Sequence, residues 1–316
     1  MLIQNTKLMP SNKKDPKKRS TTSPFGVSKR ESHDSSQFYK SKLYSGIPKP
    51  KNVEYIDNSS QIPSNILDHV ILGDSRNMKE LPDCSVHLVV TSPPYNVSKE
   101  YDNDLTLDEY LNLLETVFKE IWRVLVPGGR VAINVANIGR KPYIPLHSFI
   151  IQLMLNIGFH MRGEIIWDKG ASAGISTAWG SFASASNPCL RDVHEYILIF
   201  SKLTNKLEKL NKKDTITKEN FIEWSKSIWR FPAESARKIG HPAPFPLELP
   251  LRLIEFYSHE GDIILDPFNG SGTTAIAAIK LKRHFIGYEI SPDYFELSIK
   301  RISSFKNQLK LDDFIH

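Results

Sequence analysis

The stretch LDPFNGSGTTAIAAI, Leu265–Ile279, decides how the rest of the chain is read. It opens on the end of an apolar run, DIILDPF (Asp262–Phe268), that reads as a buried strand. A turn with Gly270 and Gly272 follows, and then a helical run, Thr273–Leu281. Gly270, Gly272 and Ala275 satisfy the dinucleotide pattern G-x-G-x-x-A. Glu289 closes the next strand, HFIGYEI (His284–Ile290), where an acid can take ribose hydroxyls. The glycines alone also fit a nicotinamide dinucleotide, or a tight turn that holds nothing. Asp266 tips the balance: a carboxylate at the strand end opposes a pyrophosphate but suits the ammonium and sulfonium of S-adenosylmethionine. Phe268 adds an apolar wall, and the turn is read as a methyl-donor site.

After Glu289 fewer than thirty residues remain, too few to finish a doubly wound sheet. The missing strands must lie upstream, and they do. HVILGD (His69–Asp74), SVHLVVTS (Ser85–Ser92), RVAINVA (Arg130–Ala136), Glu164–Trp167 and Glu195–Phe200 read as strands. Thr106–Val126 is the clearest helix, with Thr106 and Glu109 as a capping box and Pro127-Gly128-Gly129 as its stop. Leu146–Asn156, Leu247–Tyr257 and Asp293–Lys306 are further helices. Such alternation predicts an α/β fold, a parallel sheet with helices on both faces. With the cofactor turn so late, the chain reads as a permuted Rossmann-like fold.

Two segments break the rhythm. Gly170–Asn187 is rich in Gly, Ala and Ser; Asn205–His241 is Lys-rich and then carries SIWRFPAESARKIGH. Neither reads as sheet-building material, and loops this long are functional or disordered. The expected organisation is an arm over 1–60, a catalytic half over 61–169, a recognition region with one returning strand over 170–240, and a cofactor half over 241–316.

The 316 residues, 40% hydrophobic and 24% charged, suffice for a sizeable buried core. No run of about 18 apolar residues predicts a membrane span. The N-terminus has charge but no apolar stretch of the secretory kind. Two cysteines, Cys84 and Cys189, make neither a disulfide framework nor a four-cysteine zinc site, so a reducing cytoplasm is expected. The net charge of +6 is uneven. Residues 1–51 hold twelve Lys or Arg against three acids, leaving 29 bases and 32 acids beyond them. That arm is too polar to offset its ordering entropy and is expected to be largely disordered. It reads either as a solvating tail or as a phosphate-contacting arm.

VTSPPYN (Val90–Asn96) ends a strand with Ser92, Pro93, Pro94 and Tyr95. The prolines remove two amide donors and stiffen the turn. What remains is acceptors, the Ser92 hydroxyl and backbone carbonyls, with the Tyr95 ring face beside them. An exocyclic base amine is a poor nucleophile because its lone pair is delocalised into the ring. Acceptors on its hydrogens draw it toward a tetrahedral, attacking geometry. Tyr95 could stack on a base turned out of the duplex, as chemistry on a base requires.

TSPPYN and LDPFNGSGTT together resemble the DNA amino-methyltransferases that act on exocyclic nitrogens, in the motif order of their permuted beta class. The resemblance spans about Ile66 to Phe305. It implies that Asp266, Phe268, Gly270, Ser271, Gly272 and Thr273 line the S-adenosyl-L-methionine pocket, with Glu289 on the ribose. It implies Asp74, in LGDS, near the adenosine, and Phe245, in HPAPFP, beside the methionine moiety; many members carry Lys at that last position. Ser92, Pro93, Pro94 and Tyr95 match the catalytic tetrapeptide. Ser-Pro-Pro-Tyr is typical of the N4-cytosine enzymes and Asp-Pro-Pro-Tyr of the N6-adenine ones. The expected function is therefore N4-cytosine methylation of double-stranded DNA, in a prokaryotic restriction–modification system with a cognate endonuclease. N6-adenine methylation is the alternative, with a protein or RNA acceptor more distant.

Other motifs carry less. Pro188-Cys189 resembles a ring-attacking nucleophile, but that chemistry would leave Ser-Pro-Pro-Tyr without a purpose. Cys189 and Cys84 are expected to be buried small residues. The histidines, His147, His160 and His194 among them, show no metal-ligand spacing. Lys169, Trp179, Arg191, Trp229, Arg230, Arg237 and Lys238 are candidates for DNA contacts.

Overall fold

A computed structural model describes residues 20–21, 33–34, 39–94, 105–139, 141–170, 180–234 and 246–315. The chain divides into two compact units, Met1–Lys49 and Pro50–His316. In the first, Ser20–Thr21 pairs in parallel with His33–Asp34, and Lys42–Tyr44 forms one 3₁₀ turn. Most of the expected disordered arm lies outside the described residues. The second unit begins at Pro50, ahead of the boundary expected at 61.

The early start has a polar cause. Asp57 Oδ2 lies 3.1 Å from Nε2 of the buried His87, and Asn58 Nδ2 donates to Asp83 O at 2.8 Å. His87 Nδ1 in turn accepts from Ile263 N, while Lys212 Nζ reaches the fully buried Asp262 at 2.6 Å. Residues 50–60 and the Lys-rich loop are thus pinned to one end of the sheet.

The strands are β1 (His69–Leu72), β2 (Val86–Thr91), β3 (Leu125–Val135), β4 (His160–Asp168), β5 (His194–Ser201), β6 (Ile228–Arg230), β7 (Ile263–Asp266) and β8 (His284–Glu289). They form one sheet in the order β1-β8-β7-β2-β3-β5-β4-β6. From β1 to β3 neighbours run parallel. The wholly parallel sheet expected from the alternation is corrected beyond β3. There β5 is antiparallel to both β3 and β4, so the sheet is mixed. β4 ends at Asp168 and β5 begins at His194 on the same edge, and that re-entry forces the reversal. The expectation that Asn205–His241 builds no sheet is also corrected. Ile228–Arg230 pairs in parallel with β4, and Lys218–Trp224 is helical.

The helices are α1 (Leu107–Val124), α2 (Leu146–Ile157), α3 (Lys218–Trp224), α4 (Glu248–Tyr257), α5 (Thr273–Lys280) and α6 (Pro292–Ile315). In α1 the capping box is in place: Glu109 N donates to Thr106 Oγ1 and Thr106 N to Glu109 Oε2. Its stop comes earlier than Pro127. Leu125 and Val126 are buried in β3, where Leu125 pairs with Val86; pairing then skips to Arg130 with Leu88. Pro127–Gly129 is the bulge between. Gly128 has φ +79°, and a Cβ there would lie 1.9 Å from Lys206 O, so the bulge admits only glycine. One core joins α1 and α2 to Val89, Val131, Ile133 and Leu265. The other packs α4, α5 and Ile302 of α6 against Leu88, Val90, Ala132 and Ile264.

Candidate active site

The parallel strands β1, β8, β7, β2 and β3 end on one edge. Between β7 and β2 the chain order reverses: α5 carries β7 outward to β8, and α1 carries β2 the other way to β3. Ligands of open α/β sheets bind outside the carboxyl ends at such a switch point. Asp266 closes β7 and Ser92 follows β2, so the two motifs flank it.

Asp266 is 2% exposed. Its Oδ1 accepts from Thr91 Oγ1 at 2.7 Å and Phe268 N at 3.1 Å; its Oδ2 accepts from Thr274 Oγ1 at 2.8 Å. Burial pushes the carboxyl up to about 6, against the pull of these hydrogen bonds. Thr91 directly precedes Ser92, so the donor turn and the Ser-Pro-Pro segment are joined through one hydroxyl. Pro93 is buried, and Ser92 and Pro94 are partly so. Tyr95, like Phe245, Trp179, Arg237 and Lys238, lies outside the described residues.

Glu289, 8% exposed, clamps the glycine turn. Its Oε2 accepts from Gly270 N at 2.7 Å and its Oε1 from Ser291 N at 3.0 Å, while burial raises its pKa. Gly73 N donates to Glu289 O at 2.9 Å and so places Asp74 beside this strand end. Hydrogen bonds from Arg76, Nε at 2.8 Å and Nη2 at 2.5 Å, hold the Asp74 carboxyl below its usual range. Ser271 and Thr273 meet Arg301 of α6, which donates to Ser271 O and Thr273 Oγ1.

Asn269 packs its carboxamide on Gly287 of β8. A Cβ on Gly287 would fall 2.5 Å from Asn269 Oδ1 and 2.8 Å from Cγ. Since Asn269 is 4% exposed and its N donates to Tyr288 O, it has little room to yield. Gly287→Ala is therefore expected to cost about 1–3 kcal/mol. Thermal unfolding should show a Tm several degrees lower, recovered in part when saturating S-adenosylmethionine is added.

Sequence reasoning passed over Thr91, Thr274, Asn269 and Arg301. Thr91 and Thr274 flank named motif residues, but only the fold shows that both hydroxyls converge on Asp266. Trp229, one of the candidate DNA contacts, is structural. That ring is buried, with Nε1 donating to Trp224 O, so it is core rather than a DNA contact. Cys84 and Cys189 are only partly buried, a correction to their expected place in the core. Lys169 pairs with Glu195 at 2.6 Å and Arg230 with Asp168 at 3.2 Å. Among the described residues no cluster of His, Cys, Asp or Glu could hold a metal. No helix among them is long and apolar enough to cross a membrane.

A sequence model of the DNA methylase family matches residues 86–300, from β2 to α6 and through both motifs. The chain belongs to the DNA amino-methyltransferases. Among curated members it is 35% identical over 289 residues to the type II methyltransferase M.MjaI of Methanocaldococcus jannaschii, covering 77% of this chain and 93% of that one. TTHA0409 of Thermus thermophilus, solved complexed with S-adenosyl-L-methionine, superposes with a TM-score of 0.61 at 32% identity, over 75% of this chain and 93% of that one. The cytosine-N4-specific PvuII methyltransferase shares the fold, with a TM-score of 0.59 at 21% identity over 76% of this chain and 91% of that one.

This DNA amino-methyltransferase takes S-adenosyl-L-methionine as its cofactor, and the residues at the switch point fit that molecule. Asp266 and Glu289 are buried carboxylates at the ends of adjacent strands, and among the described residues neither carries a Lys or Arg ion pair. Such an acidic edge suits a cation with ribose hydroxyls and repels a pyrophosphate.

Proposed function

We propose that this DNA amino-methyltransferase methylates the exocyclic N4 of a cytosine flipped out of double-stranded DNA, as the protective arm of a prokaryotic, cytoplasmic restriction–modification system with a cognate endonuclease. The observation that carries it is the Ser92-Pro93-Pro94 turn across the switch point from Asp266, joined to it by the 2.7 Å bond from Thr91. Serine in the first catalytic position supports cytosine over adenine.

The amine reaches the site with its lone pair spread into the ring. Ser92 Oγ and the Pro93 carbonyl accept its two N–H groups, and Tyr95 stacks on the base. Asp74, Phe245, Asp266, Phe268, Gly270, Ser271, Gly272, Thr273 and Glu289 hold the donor, Glu289 on the ribose side. S-adenosylmethionine supplies an electrophilic methyl on a sulfonium. The N–C bond forms as the S–C bond breaks, and the nitrogen proton passes to water.

The test is direct. The protein is incubated with S-adenosylmethionine and unmethylated genomic DNA, which is then digested to nucleosides and resolved by mass. N4-methylcytosine is the expected product. N6-methyladenine would keep the amine chemistry and overturn the base. No methylated nucleoside, with cofactor still bound, would redirect the search to RNA or protein amines.

A further inference from the structure

One buried acceptor beside the Ser92 turn has no use in that scheme. Asn134, on β3, is 2% exposed, and among the described residues its Oδ1 has no hydrogen-bond partner. A buried, unpaired carbonyl is costly and calls for a reason. Its orientation follows from its neighbour. Asn134 Nδ2 donates to Glu195 Oε2 at 2.6 Å, and Glu195 Oε1 is ion-paired with Lys169 Nζ at 2.6 Å. A carboxylate only accepts, so the amide must turn its NH₂ toward Glu195 on β5 and its oxygen the other way. In the sheet β3 runs between β5 and β2, so β2 is the neighbouring strand on the side away from Glu195.

Register then places Ser92. Val90 of β2 pairs with Ala132 of β3, and both belong to the core on the α4–α5 face. Carried one step past Thr91 and Ile133, where β2 ends, that register sets Ser92 next to Asn134 at the catalytic edge. A serine hydroxyl that accepts from an amine must send its own proton elsewhere. Resting on the reading of Ser92 as the amine acceptor, we propose that Asn134 is a positioning residue. With the target base bound, its Oδ1 accepts the Ser92 hydroxyl proton and so turns a Ser92 lone pair onto the amine. Glu195 and Lys169 fix the direction of the amide.

The experiment is a double-mutant cycle on the full chain, with turnover and both KM values measured. Asn134→Leu keeps the branching at Cγ and removes the acceptor. It is expected to lower kcat about 10- to 30-fold, the worth of one buried hydrogen bond, with KM for cofactor and DNA little changed. In a Ser92→Asn background the acceptor is a carboxamide oxygen with no proton to place. There Asn134→Leu should change kcat less than about threefold. A second comparison does not depend on that background: Asn134→Ser, which opens a cavity but keeps an acceptor, should turn over faster than Asn134→Leu. Equal losses in both backgrounds, no loss with Ser92 present, or Leu outperforming Ser would overturn the proposal. Wild-type turnover measured alongside separates the two ideas, since an inactive wild type condemns the methylation reading itself.

Discussion

Asp266→Asn is expected to leave the protein at least as stable as the wild type above neutrality, yet to weaken S-adenosylmethionine binding by about 100-fold, the worth of a buried charge partner. The two effects separate because of how the carboxylate is wired. Thr91 Oγ1 and Phe268 N both donate to Oδ1, which a carboxamide retains. The atom at Oδ2 becomes an NH₂ facing Thr274 Oγ1, and that hydroxyl can accept from it and donate instead to Val90 O, 3.4 Å away. No donor is orphaned. What is lost is a charge whose burial the fold resists, since the Asp266 pKa rises from 3.8 to about 6. A carboxyl raised in the folded state binds its proton more tightly there than when unfolded. Its contribution is therefore full at low pH and lost as pH rises toward 6, and the neutral Asn escapes that loss. Cofactor affinity should run the opposite way with pH. In the wild type it should fall up to about tenfold per unit below pH 6, as the carboxylate facing a cation is neutralised; in Asp266→Asn that dependence should flatten. Calorimetric titration across pH, paired with thermal unfolding, reads both. A variant that binds the cofactor as tightly as the wild type would remove Asp266 from the pocket.

How far the chain discloses this site depends on the range of the interaction involved. β2 and β7 are fully buried parallel strands, as is β8 beyond His284, and they are therefore near-continuous apolar runs, which local reading recovers. So is α1, whose cap and apolar stripe lie within five turns. Strand pairing is not local. Nothing in HEYILIF announces that β5 runs against its neighbours, because direction is set by which edge the 170–193 connection leaves and re-enters. The three residues of β6 are too few for any period, and Trp229 looks like a solvent-side aromatic until the sheet closes over it. The Asp266 hub fails for the same reason. Thr91 and Asp266 are 175 positions apart, and no spacing rule connects them. The motif residues were legible as chemistry, while the hydroxyls that lock one motif to the other required the sheet order.

That lock makes Ser92→Ala the sharper probe of turnover. Removing one preorganised polar group that acts on the reacting atoms is worth about 100- to 1000-fold in rate, and a drop of that order in kcat is expected. Cofactor affinity should be unchanged, because the link to Asp266 runs through the Thr91 hydroxyl, which the substitution leaves in place. Stability should also hold, for a partly exposed serine side chain truncated to alanine leaves no large cavity. Thr91→Val supplies the contrast. It is isosteric but removes the hydroxyl that donates to the fully buried Asp266, so cofactor binding and Tm should fall along with kcat. Single-turnover methylation with enzyme in excess isolates the chemical step, and equilibrium titration isolates cofactor binding. Were Ser92→Ala to weaken cofactor binding as much as it slows methylation, the acceptor role would pass from its hydroxyl to the Pro93 carbonyl, and Ser92 would be a scaffold residue of the donor pocket.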